Sequence, residues 1–216
     1  MVGGHWFPIA ESTEEEDIRT GSLRMNMDNF LKDLYEQGRR NDSSTSDRSA
    51  MMFNITPSTG VFLDLLVTEL KPKRILELGT SNGYSTLWLA RAANRIGSRV
   101  DTVDISSRKA DLASDNLAKC GLHEAVSIHV GDCGEYLSRC DSDFYDLVFL
   151  DSDRTSYVKW AENLIRVIRF GFLIVDNATT HPQELFDFKG RLNGHFGLSI
   201  VTLPIGNGQM IVQRDR

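Results

Sequence analysis

A doubly wound α/β fold with a mostly parallel, seven-stranded sheet is the architecture this chain predicts, on three observations. From about residue 57 onward, short runs rich in Val, Ile and Leu alternate with amphipathic stretches. The segments between them are short, and several of the apolar runs end in an acid or a glycine. Strand, helix, strand with brief loops implies crossovers between parallel neighbours, whereas the final two runs, joined by Pro204-Ile-Gly-Asn-Gly208, read as an antiparallel hairpin because Asn-Gly suits a tight turn.

The elements follow in order. A helix is expected near residues 25 to 39, then the polar run Asn41-Asp-Ser-Ser-Thr-Ser-Asp-Arg-Ser49, whose composition is that of a loop. Residues 1–50 thus form a helical and loop appendage, a candidate lid, and residues 51–216 the main domain. Pro57 suits the first turn of a helix over 57–70, since its fixed φ is already helical. Strand 74–79, helix 83–96, strand 99–105, helix 107–119 and strand 126–131 come next. A short helix from about 133, strand 145–151, helix 154–168, strand 172–176 and helix 182–193 lead to the hairpin strands 197–203 and 208–213.

The 216 residues are 41% hydrophobic, enough for one sizeable core. A formal net charge of -6, with Lys and Arg scattered, disfavours nucleic acid and acidic membrane as partners and favours small-molecule chemistry. Cys120, Cys133 and Cys140 have no metal-ligand spacing and read as free thiols of a reducing compartment. No apolar run approaches the roughly 20 residues that cross a bilayer, and the first residues lack a signal-peptide layout, so a cytoplasmic protein is expected.

The stretch Glu77-Leu-Gly-Thr-Ser-Asn-Gly-Tyr-Ser-Thr86 ends a strand in a glycine-rich turn and opens a helix. Gly79 and Gly83 are four apart with no lysine after them, which fits neither the dinucleotide fingerprint nor the P-loop. An acid before the first glycine suits a cationic group, and free N–H groups of Gly83, Tyr84 and Ser85 at a helix start suit a carboxylate. S-adenosylmethionine carries both. Asp104 closes the next strand, where such folds place an acid for ribose hydroxyls.

A second constellation lies at the ends of two later strands. Phe144-Tyr-Asp-Leu-Val-Phe-Leu-Asp-Ser-Asp153 ends in two acids, and Phe172-Leu-Ile-Val-Asp-Asn177 in an acid and an amide. Neighbouring parallel strands would gather Asp151, Asp176 and Asn177 into an oxygen-only set suited to Mg²⁺, with Mn²⁺ and Ca²⁺ as alternatives, and with positions open for substrate. Such an ion lowers the pKa of a hydroxyl and orients it for attack on a sulfonium methyl.

With Leu76-Glu-Leu-Gly-Thr-Ser-Asn-Gly-Tyr-Ser-Thr-Leu-Trp-Leu-Ala90, Gly131-Asp-Cys133, Leu150-Asp-Ser-Asp-Arg-Thr-Ser-Tyr157, Val175-Asp-Asn177 and Leu203-Pro-Ile-Gly-Asn-Gly208 in this order, the chain resembles the cation-dependent O-methyltransferases. These are the catechol and caffeoyl-CoA O-methyltransferases and their bacterial relatives, and the resemblance covers about residue 50 to the end. It implies S-adenosylmethionine contacts from Glu77, Gly79, Ser85, Asp104, Asp132 and Cys133, with a backbone contact from Ile55. Thr80, Gly83, Tyr84, Ile105, Asp151 and Tyr157 complete the candidate donor pocket. Asp151, Asp176 and Asn177 match the family's metal ligands. The implied acceptor is a small hydroxylated molecule, aromatic or a vicinal diol, and the implied assembly a homodimer.

Two departures bear on catalysis. Where the family often has lysine after the Asp-x-Asp acids, this chain has Arg154, which cannot act as a base at neutral pH. Arg154 either orients an anionic substrate or pairs with a neighbouring acid. The glutamate that holds the second hydroxyl in the catechol enzymes has no counterpart in Leu203-Pro-Ile-Gly206. His181 is then a candidate proton acceptor, or a plain loop histidine before Pro182. Asp153 reads equally as a helix cap. Asp151, Arg154 and His181 are the candidate catalytic residues. A metal-free methyltransferase, a non-catalytic S-adenosylmethionine-binding protein and, more remotely, a dehydrogenase stay open as alternatives.

Overall fold

The structure is a computed structural model that describes residues 14–215, with side chains described from Met27 onward. Its elements are α1 (Glu14–Ser44), α2 (Pro57–Leu70), β1 (Arg74–Leu78), α3 (Tyr84–Ile96), β2 (Arg99–Asp104), α4 (Ser107–Lys119), β3 (Val126–Val130), α5 (Cys133–Arg139), β4 (Tyr145–Leu150), α6 (Tyr157–Val167), β5 (Ile168–Val175), α7 (Phe186–Asn193), β6 (Leu198–Leu203) and β7 (Gln209–Arg214). The seven strands run β3-β2-β1-β4-β5-β7-β6. Those from β3 to β5 are parallel, and β7 is antiparallel to both β5 and β6. The hairpin therefore enters the sheet with its second strand inside and its first at the edge.

Local chemistry sets the boundaries. Thr56 caps α2 by accepting the Thr59 N–H at 3.2 Å, with Pro57 in the first turn as the sequence predicts. Ser106 caps α4 and Asp132 caps α5 in the same way. Both faces of β1 are covered, so Ile75 and Leu76 are equally buried although they point to opposite sides. Below one face, Leu76, Leu78, Val148 and Leu150 pack with Tyr157, Leu164 and Phe188 of α6 and α7. Above the other, Ile75, Leu147, Phe149 and Ile174 pack with Leu63, Val67 and Leu87 of α2 and α3. Truncating a fully buried leucine such as Leu63 costs on the order of 2–5 kcal/mol.

The bounds of α1, β5 and α7 differ most from the expected ones, and α1 already begins at Glu14. Helix α1 runs on through Asn41–Ser44, where Ser43 and Ser44 turn their hydroxyls back onto the carbonyls of Arg39 and Asn41. Its Leu31 and Leu34 join the core over α3, so the appendage helix shares the packing of the main domain. Strand β5 begins at Ile168, four residues early, because Ile168 pairs with Tyr145 before an irregularity re-registers the strand at Leu147 and Phe172. Exposed Arg169 and Phe170 mask that start in the sequence. Helix α7 begins at Phe186, after residues 182–185 have formed turns. Among the described residues no helix is long and apolar enough to cross a membrane.

Candidate active site

The carboxyl ends of β1, β2, β4 and β5 carry the polar groups, as a doubly wound sheet requires. Glu77 is fully buried, and its Oε2 accepts the hydroxyls of Thr86 at 2.5 Å and Thr102 at 2.6 Å. Its Oε1 has no protein partner. Burial raises the Glu77 carboxyl from 4.5 to about 7, against the opposing pull of the Ser85, Thr102 and Thr86 hydroxyls.

The glycine loop that follows is held by close approach. Gly79 has φ +108°, and a Cβ there would stand 2.0 Å from the Asp151 carbonyl oxygen. Only glycine lets the β1 and β4 ends meet in this way. Gly83, at φ +82°, starts α3 against Ala113 of α4. The turn uses two of the donors expected to be free: the Gly83 N–H goes to Thr80 O at 2.9 Å and the Tyr84 N–H to Asn82 Oδ1 at 3.3 Å. Thr80 is buried against Thr102, their hydroxyls 2.7 Å apart. Asp104 is fixed at both oxygens, accepting the Ser81 N–H at 2.8 Å and the Ser106 N–H at 2.9 Å. Ile105 beside it is 75% exposed, an apolar surface at the sheet end.

Asp151 and Asp176 stand at neighbouring strand ends, their N–H groups bonded to Leu78 O at 3.0 Å and Leu150 O at 3.1 Å. Asn177, in the left-handed region at φ +66°, donates Nδ2 to Asp151 Oδ1 at 3.2 Å and to Asp176 Oδ2 at 3.1 Å. Burial pushes the Asp151 carboxyl well above the usual range, and the charges of Asp176 and Glu77 push the same way. Burial raises Asp176 too, against the hydrogen bond from Gln209. Half-buried Asp151 and buried Asp176 share the Asn177 amide, with Gln209 as a further donor to Asp176 alone, and two neighbouring acids so short of positive charge fit a hard cation. Turning the Asn177 amide about its last torsion would present Oδ1 in place of Nδ2 and complete an oxygen set. Among the described residues no three His, Cys, Asp or Glu side chains gather as a ligand set.

The other predicted residues take varied places. Arg154, in a 3-10 turn capped by Asp153, donates Nε to Glu184 Oε2 at 2.6 Å, so its paired acid lies thirty residues on, before α7. Its positive charge favours the ionised forms of Asp151 and Asp176. His181 lies in the same loop, its N–H on Asn177 O at 2.9 Å and its Nδ1 3.0 Å from Thr180 Oγ1. Tyr157 is buried, and its hydroxyl accepts the Ser152 N–H and donates to Ser152 O, pinning the loop after β4. Asp132 caps α5, and the Cys133 thiol is buried in the core and pushed up to about 11. Ile55 is buried before α2. The Tyr84 ring is tilted against Tyr35, their centroids 5.6 Å apart, and lines a groove of about 730 Å³ between α1, α2 and α3.

Several residues at the site were not singled out from sequence. Thr86 and Thr102 hold Glu77, and Ser81 ties the glycine loop to Asp104. Gln209, fully buried at the start of β7, donates Nε2 to Asp176 Oδ1 and, at 3.2 Å, to Thr59 Oγ1.

Comparison with known proteins accords with this geometry. The O-methyltransferase family model matches residues 24–214. A catechol O-methyltransferase of Niastella koreensis is 32% identical over 168 residues, covering 74% of this chain and 76% of that one. A caffeoyl-CoA O-methyltransferase of Stellaria longipes is 26% identical over 194 residues, covering 79% and 80%. The O-methyltransferase TomG of Streptomyces achromogenes, involved in tomaymycin synthesis and solved in complex with SAM, superposes with a TM-score of 0.72 at 25% identity, covering 87% and 90%. The fold is shared with the SAH-bound methyltransferase PaMTH1 of Podospora anserina, at a TM-score of 0.75 and 19% identity over 99% of this chain and 100% of that one. The buried acids at the strand ends, the glycine loop between them and the match along nearly the whole described chain have one meaning: the protein belongs to the O-methyltransferase family.

Proposed function

We propose that this O-methyltransferase moves the methyl group of S-adenosylmethionine to a hydroxyl of a small aromatic or vicinal-diol acceptor, aided by a divalent cation. The observation that carries the reading is the pair of neighbouring acids, half-buried Asp151 and buried Asp176, bridged by Asn177, with the Asp151 backbone set directly against Gly79 of the glycine loop. These three side chains would hold the cation, which supplies a lowered hydroxyl pKa and a fixed acceptor orientation.

The rest falls to the chain's own residues. Asp104, locked at both oxygens by backbone N–H groups, presents a fixed carboxylate edge to ribose hydroxyls. Glu77 keeps one oxygen unpartnered beneath the loop and offsets the positive charge of the donor. Arg154 is a guanidinium donor, so it serves to orient an acceptor and not to take its proton. His181 is the nearby group able to accept a proton, from the loop after Asn177. Positioning two bound reactants for in-line displacement supplies most of the rate. The assembly we propose is a homodimer, checked by light scattering.

A metal-free reading is favoured by one observation, the Asn177 Nδ2 facing both carboxylates in place of an oxygen. Assay of a panel of hydroxylated aromatics separates the two. Methylation that stops on chelation and returns with Mg²⁺ supports the cation, whereas methylation indifferent to chelation supports the metal-free route.

A further inference from the structure

The last turn of α1 reaches the glycine loop through a strap. Asp42 accepts the Met52 N–H at 2.7 Å on Oδ1 and the Phe53 N–H at 2.9 Å on Oδ2, eleven residues along the chain. Its neighbour Asn41 donates Nδ2 to Ala50 O at 2.9 Å and to Asp42 Oδ1 at 3.0 Å. Residues 50–53 are thus gathered onto the end of α1. The carbonyl of Met52 then accepts the Ser81 hydroxyl at 2.7 Å, and the Ser81 N–H goes to Asp104 at 2.8 Å.

Both sides of the Met52–Ser81 contact are strained. Phe53 has φ +50° and Ser81 φ +47°, in the left-handed region that side chains other than glycine and asparagine seldom adopt. Such conformations persist only where the surroundings over-determine them. At Phe53 the constraint comes from the Asp42 carboxylate, with Arg48 stacked 5.0 Å over the ring. At Ser81 it comes from Met52 on one side and Asp104 on the other.

We propose that Asp42 is a positioning residue for donor binding: by holding the Met52–Phe53 backbone it lets the Met52 carbonyl lock Ser81, and through Ser81 the glycine loop and Asp104. This rests on the reading of that loop as the S-adenosylmethionine site. An aspartate in the helical appendage, outside every glycine-loop motif, thereby sets the affinity of a site on the far side of the strap.

The test is titration of chelated, full-length protein with S-adenosylmethionine, for the wild type, Asp42→Asn, Asp42→Glu, Ser81→Ala and the Asp42→Asn/Ser81→Ala double variant. Asp42→Asn and Ser81→Ala each weaken the donor on the order of tenfold, the scale of one hydrogen bond. The double variant is no weaker than the worse single one, since both break the same chain, and Asp42→Glu recovers part of the loss. Amide exchange on donor-free protein shows the Ser81 N–H opening faster in Asp42→Asn. Undiminished donor affinity in Asp42→Asn, losses that multiply in the double variant, or an unchanged Ser81 amide would overturn the proposal, even with a lowered melting temperature. A wild type that binds no donor would instead overturn the reading of the loop, while the exchange experiment would still decide the coupling.

Discussion

Asn177 Nδ2 lies 3.2 Å from Asp151 Oδ1 and joins the second residue after β5 to the first residue after β4. One amide therefore bonds both acids, and its backbone occupies the left-handed region that asparagine tolerates better than other side chains. Substitution separates the two roles. Asn177→Gly keeps the backbone and loses the amide, so Mg²⁺ affinity measured calorimetrically falls by about tenfold or more, the scale of a lost ligand. Asn177→Leu also strains the turn and unfolds more readily in urea by about 1–2 kcal/mol relative to the glycine variant. Equal stability of the two would show that φ +66° carries no strain here.

Glu77 makes stability depend on pH. Its carboxyl is raised from 4.5 to about 7 by burial, so folding takes up a proton between those values. Below about 4.5 both folded and unfolded forms are protonated and the group is neutral to stability. As pH climbs toward about 7 the unfolded chain ionises while the folded one resists, and stability falls by roughly 3 kcal/mol, levelling off above that value. In donor-free protein, Glu77→Gln removes this component, so urea denaturation across the window gives a flatter profile than the wild type. Parallel profiles would show that folding does not raise the Glu77 carboxyl.

Gly79 is the backbone position on which β1 and β4 depend. Gly79→Ala sets a methyl 2.0 Å from the Asp151 carbonyl, at φ +108°, and destabilises by more than about 2 kcal/mol. Gly97 closes α3 at φ +70° with nothing within 4 Å, so Gly97→Ala costs only about 1 kcal/mol. Denaturant midpoints of the two variants check the difference, and a Gly79→Ala protein as stable as Gly97→Ala would contradict the close approach.

Gln209 holds Asp176 from behind while its own Oε1 is buried without a partner. Gln209→Leu removes both the useful donor and the orphaned acceptor, so the fold is little changed but Asp176 is free to turn. Mg²⁺ affinity then drops by about 10–100-fold, the usual effect of losing a residue that orients a ligand. Unaltered affinity, read by calorimetry on a protein with a normal melting curve, would leave Gln209 with a packing role alone.

What could be read from the sequence was what is local. Glu77, Gly79, Asp104, Asp151 and Asp176 all close apolar strands, so strand periodicity and parallel order place them at one end of the sheet without knowledge of any contact. The hairpin at 204–208 was legible from its Asn-Gly pair for the same reason. Gln209 was not, because its partners Asp176 and Thr59 are 33 and 150 residues away and no spacing encodes them. The helical turn at Asn41–Ser44 was hidden by its polar composition, which reads as loop until Asp42 is seen to hold the strap. The contact of the Tyr84 ring with Tyr35 of α1 was equally illegible, since the two are far apart in sequence.

The central claim is that Asp151, Asp176 and Asn177 hold a cation beside a bound methyl donor. Titration of Mg²⁺ into the chelated protein saturated with S-adenosylmethionine tests it without knowledge of the acceptor. One binding event per chain is expected in the wild type and none in Asp176→Ala. No Mg²⁺ binding by the donor-bound wild type, or binding that survives in Asp176→Ala, would contradict it.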